Sequence, residues 1–521
     1  MPAPEDGAAV AETHSGVVFF CGDRAYKLKK PVDLGFLDFR QREARAAACH
    51  REVELNRRLA PDVYLGVADV TGPDGQPCEH LVVMRRLPAA RRLSALAAAG
   101  LPVEADLRRL AHLLAAFHAR AGTSPQIAAA AGRDALAGRW EANAAQMARF
   151  TGPVFDPALA ERVITLARRY LAGRGPLLAA RVAAGHARDG HGDLLADDIF
   201  LLNDGPRVLD CLDFDDSLRW DDVLADVAFL AMDLERLGRP DLARRFLAGY
   251  REFAGDNWPD SLAHHHIAYR AQVRAKVTAL AADQAGPGTP QREEHIHAAR
   301  QLLALAARHL EAGRVRLILI GGLPGTGKST LAARLGSALG AALLRTDELR
   351  KQLAGLDPAT PATAGFGQGL YAPEMTGATY AELLRRASTA LAGGQSVIAD
   401  ASWHDPVWRE AARAVAEETC ADLSEFRCVL PLELIIRRIT GRSAGDASDA
   451  TVGVVRRLAA SLEPWPTATE VDTSRPPAEV ADAVLRDLGV SAAAGGQAAP
   501  ETGPASPGSN GEGERAAWAG R

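Results

Sequence analysis

The sequence predicts a chain in two parts, an α+β part followed by an α/β part with a parallel β-sheet. Short alternating strands cluster near the N-terminus, and long helical stretches follow them to about residue 283. From residue 315 onward, apolar strand-like runs alternate with helical stretches, which is typical of a parallel sheet with crossover helices.

In the first part, strands are predicted within 12–30 and 79–87, a helix over 40–59, and a helix over 104–119. Further strands are predicted over 199–202 and 208–214, with mostly helix from there to residue 283. The Gly- and Pro-containing segment 284–291 is the predicted linker, and a helix over 293–311 follows it. In the second part, strands are predicted over 315–320, 342–345, 396–400 and 426–430.

These patterns divide the chain into a first domain (1–290), a linker helix (291–312), a second domain (313–490) and a tail (491–521). The tail consists mainly of Gly, Ala, Pro and Ser with few large apolar side chains. Such a composition cannot bury enough apolar surface to form a core, so we expect the tail to be disordered.

Composition excludes several classes of protein. With 47% hydrophobic and 24% charged residues, the composition is typical of a soluble globular protein. The net charge of -5 argues against general nucleic-acid binding, which requires an excess of positive charge. The first sixteen residues lack a basic leader region and no apolar run could span a bilayer, so we expect a cytoplasmic protein with no membrane partner. The six cysteines form no C-x-x-C pair, which argues against disulfide frameworks and zinc sites.

Lysine is rare in this chain, because only six of the 60 basic residues are lysines. The lysine ammonium is a compact point charge, whereas the arginine guanidinium is a planar fork. We therefore treat the lysines as pointers to phosphate chemistry, since three of them lie within residues 27–30 and one lies in a Gly-rich loop.

That loop has the pattern G-x-x-x-x-G-K-[ST], follows the predicted strand 315–320 and leads into a predicted helix over 329–339. In this context the backbone N–H groups surround phosphate oxygens at a helix N-terminus. Lys328 would neutralise charge on the β- and γ-phosphates, and the Ser329 hydroxyl can bind Mg²⁺. The predicted nucleotide-binding residues are Gly322, Gly325, Thr326, Gly327, Lys328, Ser329 and Thr330.

Acidic and basic residues follow this loop at positions that matter for phosphate chemistry. Asp400 ends a predicted strand, as does the aspartate that holds the Mg²⁺ shell in other P-loop proteins. Arg438 and Arg442 are four residues apart and share one helix face. They either close over the phosphates as a lid or form a solvated helix face.

Residues 314–488 resemble the small P-loop kinases of the gluconate-kinase and zeta-toxin type. The resemblance rests on the segments GGLPGTGKST, TDELRK, VIADASW and RITGR. It implies that Asp347 contacts or deprotonates the hydroxyl group of an acceptor and that Arg350 contacts the substrate.

The first part contains aspartates at the spacing of a kinase catalytic loop. Asp193 belongs to a His-Gly-Asp segment, Asp198 lies five residues later, and Asp213 precedes a phenylalanine after a predicted strand. In kinases the first such aspartate accepts the hydroxyl proton and the two later groups bind Mg²⁺. The spacing therefore predicts Asp193 as a base and Asp198 and Asp213 as Mg²⁺ ligands, which suits a hard cation.

Residues 10–285 resemble the aminoglycoside phosphotransferase family, which has the two-lobed protein-kinase fold. In this sequence Leu195 replaces the family's second histidine, and Asp198 replaces its metal-binding asparagine. The resemblance implies structural roles for Asp226 and His118.

The resemblance also implies an ATP site between the lobes. Lys27 on the third strand would hold the α- and β-phosphates, Glu52 would pair with Lys27, and Met84 lies in a hinge-like segment whose backbone meets adenine. Lys29 shares a strand face with Lys27 and is an alternative to it as the phosphate-binding lysine, although Lys27 is favoured. Glu54 is likewise an alternative to Glu52 as the partner of that lysine.

Three basic residues, Arg270, Arg274 and Lys276, lie on one predicted helical stretch. They either line an acceptor cleft or form a solvated helix face, and the second interpretation is favoured.

The whole chain resembles bacterial fusions of an aminoglycoside-phosphotransferase-like domain with a P-loop kinase-like domain. The leading hypothesis is a bifunctional phosphotransferase that uses ATP or another NTP with Mg²⁺ and acts on a small-molecule acceptor such as a sugar, aminocyclitol or nucleoside. A second hypothesis makes one domain a nucleotide-driven switch that regulates the other. A third makes the P-loop half a toxin-like or polynucleotide kinase, although the lack of a basic aromatic stripe counts against RNA.

Overall fold

The computed structural model describes residues 9–12, 16–33, 38–357, 370, 372–441, 452–460 and 463–490. Two predictions concern residues outside these ranges, namely the lid residue Arg442 and the tail over 491–521. Within the described ranges, no helix is both long enough and apolar enough to cross a membrane.

The chain begins with a small lobe built on an antiparallel sheet. Its elements are β1 (Ala9–Glu12), β2 (Gly16–Cys21), β3 (Arg24–Lys29), α1 (Arg42–Asn56), β4 (Tyr64–Thr71) and β5 (Pro77–Arg85). The five strands have the order β1-β2-β3-β5-β4. A tight turn joins β2 to β3, where Gly22 adopts a φ of 56° that other residues rarely tolerate. Helix α1 packs on β4 and β5 and buries Cys49 and Val53 against the sheet.

A larger, mostly helical lobe follows. Its helices are α2 (Leu93–Ala98), α3 (Glu104–Arg120), α4 (Pro125–Ala130), α5 (Arg133–Met147), α6 (Pro157–Gly173), α7 (Gly175–Ala183), α8 (Val223–Arg236), α9 (Pro240–Ala254), α10 (Asp260–Gln284) and α11 (Pro290–Ala312). Helix α8 is buried on all sides from Val223 to Leu234, which is typical of a helix at the centre of a domain. The predicted helical face of α3, with Leu107, Leu110 and Leu114, lies in the same core.

Two small antiparallel sheets carry the loops between these helices. Strand β6 (Ala187–Asp189) pairs with β9 (Trp220–Asp222), and β7 (Ile199–Leu202) pairs with β8 (Gly205–Val208). The sequence correctly predicts β7, but the strand predicted over 208–214 is wrong. The observed strand ends at Val208, and Asp210 follows with a φ of 60°, in the left-handed region.

The segment predicted to be a linker is a turn between two packed helices. Residues 285–289 connect α10 to α11, and α11 packs along both α10 and α6. Leu302, Leu303 and Leu310 of α11 are buried in the main core. The helix predicted over 293–311 is therefore present, and it contributes to the core of the preceding lobe.

The C-terminal part is a layered α/β unit. Its strands are β10 (Arg316–Gly321), β11 (Ala342–Arg345), β12 (Val397–Asp400), β13 (Asp422–Val429) and β14 (Thr469–Asp472). Its helices are α12 (Lys328–Leu339), α13 (Thr346–Leu353), α14 (Pro373–Ala392), α15 (Pro406–Glu418), α16 (Leu432–Thr440), α17 (Val452–Ala460) and α18 (Pro477–Asp487).

All strand pairs of this sheet are parallel, in the order β11-β12-β10-β13-β14. Alternate residues of β10 face different clusters, with Ile318 and Ile320 packing towards α12 and α18 and Leu317 and Leu319 towards α14. The helices thus cover both faces of the sheet, and the carboxyl ends of its strands meet along one edge.

Arg174, between α6 and α7, joins the two parts of the protein and is 1% exposed. Its guanidinium donates to the carbonyl of Leu391 and, at 2.8 Å, to the carbonyl of Thr419. These carbonyls lie at the C-terminal ends of α14 and α15, which carry partial negative charge and need hydrogen-bond donors. Ser261 adds a second contact by donating to the carbonyl of Gly394 at 2.6 Å.

Candidate active sites

The phosphate-binding loop predicted from the sequence connects β10 to α12. Gly322, Gly325 and Gly327 have φ values of 129°, 84° and 91°, in the region that favours glycine. At Gly322 a Cβ atom would lie 2.5 Å from the carbonyl oxygen of Cys428, so a side chain cannot be accommodated there. The loop backbone thus has a conformation that requires glycine, at the N-terminus of α12, where anions bind.

The polar residues of the loop are anchored by short contacts. The Thr326 hydroxyl donates to the carbonyl of Leu323 at 2.7 Å, and Lys328 Nζ donates to the same carbonyl at 3.1 Å. The carbonyl of Thr326 accepts from the Thr473 hydroxyl at 2.5 Å. Lys328 therefore lies over the loop, where it can reach a bound phosphate.

The carboxylates of this part follow the next two strands. Asp400 ends β12 and lies opposite Ile320 of β10 in the parallel register. Burial raises the pKa of Asp400, while Lys328 and a hydrogen bond from Ser329 act in the opposite direction. Ser329 and Asp400 thus offer adjacent oxygen atoms beside Lys328, a donor set that suits Mg²⁺.

Asp347 and Arg350, the predicted acceptor-contacting residues, lie on α13 directly after β11. Arg350 donates to Asp347 Oδ1 at 2.8 Å, which orients the carboxylate. Both side chains line one cavity of about 700 Å³ together with Lys328, Ser329, Thr330 and Asp400. The cavity therefore places the phosphate-binding loop and the acceptor-contacting pair in one space.

An aromatic pair lines the same cavity away from the loop. Tyr380 of α14 and Trp408 of α15 stack with ring centroids 5.0 Å apart. The Tyr380 hydroxyl accepts the backbone N–H of Trp403 at 3.2 Å, and Trp403 has a φ of 50°, which is rare for a bulky residue. The sequence did not predict this aromatic wall.

Arg438, one of the two predicted lid residues, also lines the cavity. Its guanidinium donates to the carbonyl of Thr473 at 2.9 Å and lies 3.4 Å from the position of a Cβ at Gly327. Arg438 is thus held beside the phosphate-binding loop while its side chain stays exposed, so both predicted alternatives remain open.

In the N-terminal part, helix α8 holds the His-Gly-Asp segment (191–193) through hydrogen bonds to its backbone. Asp226 accepts the backbone N–H groups of His191 and Gly192 at 2.8 Å each, and His118 Nε2 lies 3.0 Å from its carboxylate. Although burial raises the pKa of Asp226, these hydrogen bonds hold that pKa below its usual range. The structural positions predicted for Asp226 and His118 are confirmed by these contacts.

Asp193 follows this anchored segment, and its carboxyl is held in a state suited to a base. Burial raises the pKa of Asp193 to about 6. Burial and the nearby Asp210 and Asp193 raise the pKa of Asp198 well above its usual range. Crowding of like charges is therefore strong, and a divalent cation would relieve it.

The structure brings a further aspartate, Asp210, close to the predicted pair Asp193 and Asp198. Asp210 is the residue that acts on Asp193 and Asp198, and Lys27 Nζ lies 2.9 Å from its Oδ1. Asp213, the predicted ligand, is paired with Lys29 at 2.7 Å, and its metal-binding role stays a prediction. Because β8 ends at Val208, Asp210 and Asp213 both lie in the segment that follows this strand.

Both candidate lysines bind the same glutamate. Glu52 on α1 accepts Lys27 Nζ through Oε1 at 2.8 Å and pairs with Lys29 Nζ through Oε2 at 2.7 Å. Although burial raises the pKa of Glu52, the two ammonium groups hold that pKa below its usual range. Lys27 alone also reaches Asp210, so it is the lysine closer to the carboxylate cluster.

The cluster fits magnesium bound together with a nucleotide. In the described residues, no group of three or more His, Cys, Asp or Glu side chains is arranged to hold a metal ion by itself. Magnesium in kinases is held by one or two carboxylates together with phosphate oxygens and water, so Asp198 and Asp210 suffice as protein ligands. Met84, in the predicted hinge, is a buried residue near the end of β5.

Comparison with known proteins finds two family models that match separate parts of the chain. Residues 22–264 match a model of the phosphotransferase enzyme family, and residues 317–465 match a model described as an AAA domain. Uncharacterized proteins of Mycobacterium tuberculosis (strain H37Rv) and Mycobacterium bovis are 44% identical over 467 residues, covering 90% of this chain and 92% of each relative. The chain belongs to their family. It is a fusion of a phosphotransferase-family, kinase-like domain and a P-loop kinase domain, which confirms the fold class.

Each of three similar solved structures covers only part of this chain. The GDP and kanamycin complex of APH(2″)-IIia is 17% identical, covers 58% of this chain and 95% of its own, and has a TM-score of 0.39. A sugar kinase from Janibacter sp. HTCC2649 is 18% identical, covers 34% of this chain and 95% of its own, and has a TM-score of 0.27. A gluconokinase from Sinorhizobium meliloti 1021 is 18% identical, covers 33% of this chain and 91% of its own, and has a TM-score of 0.25.

The two aspartates that follow β8, Asp210 and Asp213, can be compared in a matched pair of variants. We expect Asp210→Asn to weaken Mg²⁺-dependent ATP binding at the first domain on the order of 100-fold, because the amide removes one negative charge from the metal site. Asp213→Asn should change it by less than about threefold, since Asp213 pairs with Lys29 and is not among the groups that act most strongly on Asp193 and Asp198. Calorimetric titration of ATP with and without Mg²⁺, in the Lys328→Ala background, measures this site alone. A larger effect at Asp213 would contradict the assignment.

Proposed function

We propose that the protein is a bifunctional ATP- and Mg²⁺-dependent phosphotransferase whose two domains each phosphorylate a hydroxyl group of a small molecule. The observation that supports the proposal is that each domain brings one lysine and one carboxylate that is not bonded to it to the same site. These pairs are Lys27 with Asp193 in the first domain and Lys328 with Asp347 in the second. Such sites catalyse by positioning and charge neutralisation.

In the first domain, the carboxylate of Asp193 accepts the proton of the acceptor hydroxyl. The acceptor oxygen then forms a bond to the γ-phosphorus of ATP while the bond to the bridging oxygen breaks, and ADP leaves. Lys27 holds the α- and β-phosphates and is itself held by Glu52. A pKa of about 6 keeps Asp193 mainly ionised at neutral pH while leaving it basic enough to take a proton.

In the second domain, the N–H groups of the Gly322–Thr330 loop and Lys328 hold the β- and γ-phosphates. Asp347, oriented by Arg350, accepts the proton of a second acceptor in the same cavity. Ser329 and Asp400 would hold magnesium, which supplies further neutralisation of the phosphate charge. Arg438 lies beside the loop and adds positive charge where the γ-phosphoryl group is transferred.

The test is acceptor-dependent ADP release by the intact protein across sugars, aminocyclitols and nucleosides. We expect two acceptors of different structure to support turnover, and their rates to add when both are saturating, because they occupy separate sites. Mutually competitive acceptors would contradict two independent activities. A panel in which no acceptor raises ADP release above the background of ATP hydrolysis would contradict the proposed reaction.

The domain junction favours a second candidate function, in which one domain is a nucleotide-driven switch for the other. Arg174 of the first part binds the C-terminal ends of α14 and α15, and the other ends of these helices line the cavity of the second domain. A movement at Arg174 would therefore reach Tyr380 and Trp408. Two bound nucleotides per chain with only one acceptor-dependent turnover would favour this function.

A further inference from the structure

The arginines of α10 lie beside the catalytic loop of the first domain, which contradicts their assignment to a solvated face. Arg270 is buried, donates to the carbonyl of Ala225 at 3.1 Å and lies 4.9 Å from the ring centre of Phe229. Asp226, the next residue after Ala225, binds the N–H groups that precede Asp193. Helix α10 is thus anchored within one residue of the element that positions the base.

The three basic groups of this helix differ in how their charge is balanced. Arg270 lies 3.6 Å from Asp221, and Lys276 Nζ donates to Asn143 at 2.6 Å and Gln146 at 2.9 Å. Arg274 lies one turn after Arg270 on the same face and is half-buried. Across the described ranges, its guanidinium has neither a hydrogen bond nor an ion pair.

Arg274 is also the cation that acts most strongly on the predicted base. Burial raises the pKa of Asp193, and the negative charges of Asp210 and Asp233 raise it further. The positive charges of Arg274 and Arg270 lower this pKa, and Arg274 has the larger effect of the two. The two side chains nevertheless form no ion pair, so the guanidinium and the carboxylate are near each other without touching. An acceptor whose hydroxyl lies within hydrogen-bond reach of Asp193 therefore has Arg274 as a nearby cation.

We propose that Arg274 binds an anionic group, a carboxylate or a phosphate, on the acceptor whose hydroxyl group meets Asp193. The proposal rests on the proposed function and names the substrate class of the first domain. A half-buried guanidinium without a partner is costly, and anionic oxygens match its planar donors in a bidentate way. A cationic substituent offers no oxygen atom to the Arg274 guanidinium, so we expect an amino group to gain nothing from this residue.

The experiment uses the full-length Lys328→Ala protein and four related probes: glucose, gluconate, glucose 6-phosphate and glucosamine. Gluconate and glucose 6-phosphate distinguish the carboxylate from the phosphate. We expect an anionic probe to exceed glucose in kcat/KM, and Arg274→Gln to lower the value for that probe about 10- to 100-fold, mostly through KM. The same variant should change the value for glucose by less than about threefold. Arg274→Lys should retain part of the effect, and Arg245→Gln, an exposed arginine on α9, is the matched control.

A binding measurement separates failure of this inference from failure of the proposed function. Absence of ADP release with every probe contradicts the phosphotransferase reaction, and calorimetric binding of the same probes then decides the role of Arg274. Tighter binding of an anionic probe that is lost in Arg274→Gln supports the anion site. Equal binding of charged and neutral probes, no binding of either anion, or a loss of ATP affinity in Arg274→Gln would overturn it.

Discussion

Asp193→Asn is expected to lower acceptor-dependent ADP release by the first domain about 10²- to 10⁴-fold, the range that a general base contributes. The amide has nearly the shape of the carboxylate but cannot accept the hydroxyl proton. Because Asp193 makes no contact with the phosphate-binding residues Lys27 and Glu52, ATP affinity should stay within about threefold of the intact protein. The measurement combines steady-state ADP release with calorimetric binding of ATP.

Two further readouts make the Asp193 prediction specific. Activity of the intact first domain should fall as the pH decreases through about 6, because protonation of Asp193 removes the base. Asp197→Asn is the matched control, since Asp197 lies exposed four residues further along the chain and accepts a hydrogen bond from the Ser94 hydroxyl. Retention of full turnover in Asp193→Asn, or an equal loss in Asp197→Asn, would show that another group takes the proton.

The phosphate-binding loop could be predicted from the sequence because its information is local. A contiguous segment specifies three glycines with positive φ, the lysine and the serine, and the flanking strand and helix are read from the same stretch. Asp347 and Asp400 are equally local, since each follows directly on a strand of a parallel sheet. Their meeting in one cavity follows from the rule that such strand ends share an edge.

The aspartate cluster of the first domain could not be placed in the same way, because it depends on where a short strand ends. The pairing of β7 with β8 across a tight Asn203-Asp204 turn sets that end at Val208. The strand predicted over 208–214 includes both Asp210 and Asp213, whereas the observed end at Val208 leaves both in the connecting segment. The turn residues were visible in the sequence, and pairing them with the correctly predicted β7 would have placed Asp210 outside the strand.

Contacts between distant parts of the chain carry no local signal at all. Arg174 binds carbonyls that are 217 and 245 residues away, and nothing in its own neighbourhood marks it among the many arginines. The same abundance made Arg270 and Arg274 look like a solvated face. Their burial depends on the packing of α10 against α8 and α11, which only the folded chain reveals.

Lys328→Ala is expected to lower acceptor-dependent ADP release by the second domain about 10²- to 10³-fold, the cost of removing one preorganised charge from the transferred phosphoryl group. Lys328 acts on Asp400 and lies over the loop through Leu323, so the loop keeps its glycine-determined shape without the ammonium. Only the positive charge at the β- and γ-phosphates is lost. Arg334→Ala, an exposed arginine on α12, is the matched control for the helix itself.

The Lys328 variant also distinguishes two independent sites from a regulatory pair. If the domains work independently, Lys328→Ala leaves the first domain's rate unchanged, and nucleotide binding falls from two equivalents per chain towards one. If the second domain is a switch, the first domain's rate changes with the nucleotide occupancy of the second, and the variant alters both together. The connection through Arg174 provides the physical route for such coupling, so the first domain's rate in Lys328→Ala decides between the two functions.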